Sequence, residues 1–96
     1  MMTWEKVEKI MNDAKECRKT LEEMIVTAET EKEVETYKKC FMCYADGIIT
    51  ALKVVGGKEE EHFKRNLNII LANYQEVIDY VAQRKIGSLY NSGKTA

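Results

Sequence analysis

The feature that most constrains this chain is a spacing of apolar residues, alternating three and four positions, that recurs in three segments. In the first, Val7, Ile10, Ala14, Cys17, Leu21, Met24 and Ala28 keep that spacing turn after turn, with Met11 and Ile25 widening the face. A helix sets such positions on one stripe, the seam of a bundle or coiled coil. The second segment carries Val34, Tyr37, Phe41, Tyr44, Ile48, Leu52 and Val55. The third carries Phe63, Leu67, Ile70, Tyr74, Val77 and Val81, flanked by Leu71 and Ile78. An isolated helix gains little stability without a partner for its apolar face, so the three must pack together.

Local signals divide the segments. Thr3 is placed to cap the first helix. Thr30 followed by Glu33 matches a capping box, in which hydroxyl and carboxylate each satisfy a free backbone N–H. That places a turn at 28–30; one uninterrupted helix is the alternative, because neither Gly nor Pro enforces a stop there. Gly56 and Gly57 supply a left-handed helix ending. Lys58 opens the third helix, and Glu59, Glu60 and Glu61 suit the positive end of its dipole. Gly87 and Ser88 then end it, leaving a polar tail with poor local order. Helices of about 25 residues, or roughly 37 Å, joined by short connections must run antiparallel.

The expected fold is therefore all-α, an up-down-up antiparallel three-helix bundle, with helices at 3–28, 31–55 and 58–86. The bundle domain is 1–87 and the tail 88–96. Helix content of at least about 70% and no strand follow. At matching levels, Cys17 falls beside Met42 and Leu71, and Trp4 beside Val55 and Lys58, so that Trp4 closes the core at that end.

Composition limits the function. The 96 residues are 45% hydrophobic, enough for one modest core that buries about 65% of the unfolded surface and too few for a multidomain enzyme. No stretch approaches the roughly 18 consecutive apolar residues of a spanning helix. Residues 1–20 alternate acidic and basic side chains and have no apolar signal-peptide core. Three Cys are too few for a secreted disulfide scaffold. The expected location is cytoplasmic or otherwise intracellular, without a membrane partner. The 15 basic and 16 acidic residues are interleaved, as on a solvated helical surface. Nucleic acid is not an expected partner, because its binders need a concentrated basic field. Arg84, Lys85 and Lys94 are too few to make one.

The middle helix is less charged than its place requires. Beside its main face, Thr36, Cys40, Cys43, Gly47, Thr50 and Val54 form a second uncharged arc, again spaced four, three, four, three and four. A narrow charged strip of Glu35, Lys39, Asp46 and Lys53 separates the two arcs on one side. Small residues let another helix approach closely, a rule strongest in membranes. Gly47 costs about 1 kcal/mol relative to Ala in mid-helix and calls for a packing reason. This arc is the candidate interface for a second subunit or partner helix; the alternatives are that Ile69, Tyr80 and the tail of the same chain cover it, or that it is exposed without a role. On the third helix, Asn66, Ile69, Asn73 and Tyr80 form a smaller stripe, whose amides are candidates for fixing register.

Catalytic signatures are weak. Cys40 and Cys43 form a CxxC, but ten residues inside a helix rather than at its start, where the dipole activates a thiolate. Cys17 lies level with both, yet structural Zn takes four ligands, and His62 is roughly 12–16 Å away along the axis. Glu59 and His62 match a fragment of the di-iron pattern without a second His. No phosphate loop, nucleophile elbow or zincin motif occurs. The expectation is a non-enzymatic helical protein-interaction module without metal or cofactor. It would be a small regulator, adaptor or inhibitor, a homodimer or one bound to a protein partner. A small nucleic-acid-associated protein or a metal-binding bundle is the alternative.

Overall fold

A computed structural model describes residues 3–54 and 60–91. It has three helices that pack against one another: α1 Trp4–Thr27, α2 Glu31–Lys53 and α3 Glu61–Asn91. The described residues are 94% helical, with no strand among them. Val55, Gly56, Gly57, Lys58 and Glu59, on which the second turn and Trp4's neighbours were placed, lie outside the described residues, as do 92–96.

The α1–α2 turn forms at 28–30. Thr27 Oγ1 donates to the carbonyls of Glu23 and Met24, at 2.9 and 3.3 Å, and the Ala28 N–H reaches Ile25 O at 3.2 Å. Ala28 and Thr30 are both extended, with φ of −63° and −131°. No left-handed residue is needed, so no Gly is needed. Thr3 caps α1 by accepting from Lys6 N–H, and Thr30 caps α2 by accepting from Glu33 N–H at 3.2 Å. The capping box is half made: the Glu33 carboxylate accepts from the Thr30 hydroxyl instead of a backbone N–H.

Phe41 is the largest fully buried side chain, in a cluster with Ala14, Leu21, Ile25, Val34, Leu71 and Ile78. Cys17 and Met42 both pack on this cluster, which contains Leu71. A second cluster of Val7, Leu52 and Leu67 fills the other end. The three seams differ from expectation by a small rotation. On α3 the buried residues are Leu67, Leu71, Ile78, Ala82 and Leu89, so the flanking pair Leu71 and Ile78 is central, while Val77 is 38% exposed. Tyr74 is half-buried on the rim, where Arg18 covers its ring at 4.9 Å. On α1, Ile25 is fully buried and Met24 faces outward.

Two expectations fail at the helix ends, and one acidic residue there is buried. Trp4 does not close the core: it is 55% exposed and rests edge-on against Phe63, at 4.9 Å between ring centroids. Phe63 itself packs on the cluster of Val7, Leu52 and Leu67 at this end. Glu60, one of the acidic residues assigned to the start of the last helix, is buried, since it stands one heptad before Leu67 on the same face. Gly87 and Ser88 do not end the last helix at 86, and residues 88–91 are no polar tail. The helix continues to Asn91, Leu89 is buried, and Tyr90 OH donates to Glu31 at 2.8 Å. Lys85 Nζ also donates to Val26 O at 2.6 Å. Burying Leu89 gains about 2 kcal/mol, more than the roughly 1 kcal/mol that Gly87 costs the helix.

Candidate functional site

The candidate site is the outer face of α2, and its neighbours decide what that face contains. On one flank α3 is pinned: Lys38 Nζ lies 2.8 Å from Asp79, and the Gln75 amide donates to Asp46 at 2.9 Å and to Met42 O at 3.4 Å. The Asp79 hydrogen bond keeps the Lys38 ammonium charged to higher pH than usual. On the other flank α1 brings Cys17 toward Tyr44 and Cys40. Burial, and then the nearby Cys40, pushes the Cys17 thiol up. Burial, followed by Cys17 and Asp13, pushes the Tyr44 hydroxyl up.

Between these flanks Thr36, Cys40, Cys43, Gly47, Thr50 and Val54 all face solvent. The structure brings all six onto one exposed stripe. Nothing from the rest of the chain lies within 4 Å of a Cβ built at Gly47, so no contact within the described chain requires glycine there. Val54 is 85% exposed. The Thr36 hydroxyl donates to Lys32 O at 2.9 Å, which satisfies it internally and leaves its methyl as the outward group. Ile69 and Tyr80, the candidates for covering this arc from within, are themselves 54% and 58% exposed.

The charged strip of Glu35, Lys39, Asp46 and Lys53 is also exposed, although Asp46 is already engaged by Gln75. On α3 the two amides do not set register between helices. Asn73 is exposed, and Asn66 makes a 3.5 Å contact with His62 Nε2 one turn earlier on its own helix.

The chemical candidates stay apart. Cys17, Cys40 and Cys43 are free thiols, the last two exposed well inside α2. Burial opposes the thiolate of Cys17. Among the described residues no three His, Cys, Asp or Glu side chains gather as a metal would need. His62 is exposed and lies edge-on to Trp4 and Phe63. No described helix is long and apolar enough to cross a membrane. The features sequence reasoning missed are the burial of Glu60 and the docking of the last α3 turn. The heptad positions of Glu60 and Leu89 relative to Leu67 and Ala82 carried that signal.

No protein-family model matches this chain, and no curated protein and no solved structure matches it significantly.

Proposed function

We propose that this chain is a non-catalytic helical interaction module, a small regulator, adaptor or inhibitor, that self-associates through the outer face of α2. One observation carries the reading: six residues spaced as a helical stripe are all uncharged and all exposed. A lone bundle ordinarily covers its outward sides with Lys and Glu. In a two-fold contact each patch must complement itself, and a stripe of small residues meets that demand more readily than one mixing large knobs with charge. Gly47 then has a role outside its own chain, as the point of closest helix approach. Lys39 forms the rim and reaches an acidic residue of the mate; such a pair selects orientation more than it adds affinity. Two exposed thiols suit a reducing compartment, in keeping with a cytoplasmic site of action.

Sedimentation equilibrium of the wild type and Gly47→Arg tests the proposal. The wild type is expected to dimerise at about 100 μM, which corresponds to at least roughly 5 kcal/mol of association energy. The variant is expected to be monomeric with unchanged circular dichroism, since a side chain at position 47 meets nothing in its own chain. A monomeric wild type, or a variant that dimerises equally well, overturns it.

A further inference from the structure

Between the last turn of α2 and the first turns of α3 lies a concavity of about 430 Å³. Leu52 and Lys53 line it from α2; Glu61, Lys64, Arg65 and Ile69 line it from α3, with Asn68 between the last two. Its size falls within the range of about 300–1,000 Å³ typical of ligand sites. Among the described lining residues three cations face one carboxylate, on a chain whose net charge is −1. A concave wall with a surplus of one sign concentrates the field. Lys53 and Arg65 have neither an ion pair nor a hydrogen-bonding partner among the described residues. The other basic concavity, lined by Val26, Val81, Arg84, Lys85 and Ser88, differs in this respect. Its Lys85 is held by Val26 O and its Arg84 donates to Tyr80 OH at 3.0 Å.

We infer that the α2–α3 concavity binds an acidic peptide segment of a partner protein, one with an apolar side chain beside its carboxylate. The guanidinium of Arg65 suits a carboxylate through two parallel N–H donors. Lys53 supplies the second charge from the opposite wall. Ile69, 54% exposed, provides apolar surface that a bare oxyanion would leave unused. The Asn68 amide offers a donor and an acceptor to peptide backbone. Glu61 acts as an internal competitor: its carboxylate holds Lys64 Nζ at 3.5 Å, on the wall where the incoming acid seats. This site is separate from the outer stripe of α2 and does not depend on self-association.

The test is an NMR titration of the full chain, ¹⁵N-labelled, with a short blocked peptide of glutamate and leucine. Peptides of glutamate and serine, and inorganic phosphate, are the comparison probes. Saturable shifts are expected at Lys53, Glu61, Lys64, Arg65, Asn68 and Ile69, with weaker binding of both comparison probes. Arg65→Glu is expected to weaken the leucine peptide at least about tenfold, because it removes the charge-assisted pair with the carboxylate and puts a like charge in its place. Glu61→Gln is expected to tighten it, a sign that general disruption of the fold would not produce. Shifts spread evenly over the lysines, equal affinity for phosphate, or indifference to Arg65→Glu overturn the inference. A Glu61→Gln variant that binds more weakly than wild type does the same.

Discussion

Single residues show how far apolarity alone carries a prediction. Phe41 was legible because it is large, apolar and central in its stripe, and it is fully buried. Trp4 was equally large but sits on the first turn, where Phe63 takes the inner position and leaves Trp4 on the edge. Glu60 is the converse: its charge masked a heptad position that tertiary packing enforced. Ionisation extends the residue scale to solution behaviour. Cys17 and Tyr44 are pushed up chiefly by burial, Lys38 by its bond to Asp79, and Tyr90 by its bond to Glu31. Each holds its proton in the folded chain at a pH where the unfolded chain has released it. Their stabilisation is complete below the unfolded values, about 8.5 for Cys, 10 for Tyr and 10.4 for Lys, and is lost as pH rises through the folded ones. Thermal unfolding followed from pH 7 to about 11 is expected to show a falling midpoint above about pH 8.5. Cys17→Ala is expected to blunt the onset and Tyr44→Phe the later part. A midpoint that stays level across this range contradicts the assignment.

At the scale of helices, the α1–α2 turn was readable from the start of α2, and the end of α3 was not. The first is local chemistry: Thr30 and Glu33 lie three residues apart, and Thr27 closes the preceding helix on its own carbonyls. The second depends on residues far away in sequence. Gly87 and Ser88 signal a stop, yet Leu89 finds the core and Tyr90 finds Glu31, 59 positions earlier. Local propensity of about 1 kcal/mol yields to burial of greater worth. Because a Cβ at position 87 meets nothing within 4 Å, Gly87→Ala is expected to stabilise the bundle by about 0.5–1 kcal/mol. Leu89→Ala is expected to destabilise it by about 2–3 kcal/mol, near the lower end for a buried leucine close to a helix terminus. Urea unfolding of the two variants checks both. If Leu89→Ala is neutral, the last turn does not dock in solution.

The molecule as a whole measures 53 × 19 × 15 Å, and a body this slim meets partners through its sides rather than through deep pockets. Sequence patterning exposed one of those sides, because the outer stripe of α2 is a periodic feature of a single segment. The α2–α3 concavity was not legible, since Lys53 and Arg65 come together only when the two helices pack. At 100° per residue Gly47 and Lys53 stand about 120° apart around α2, so the stripe and the concavity open in different directions. The two surfaces are therefore expected to work independently. Gly47→Arg should abolish self-association while leaving affinity for the glutamate–leucine peptide within about twofold, because distant sites without shared partners add within roughly 0.5 kcal/mol. Arg65→Glu should do the reverse, losing the peptide and keeping the dimer. Sedimentation equilibrium and peptide titration on both variants and on the double variant complete the cycle. A Gly47→Arg chain that loses the peptide as well would mean that the two faces meet across the dimer to form one site, and the concavity would then belong to two chains rather than one.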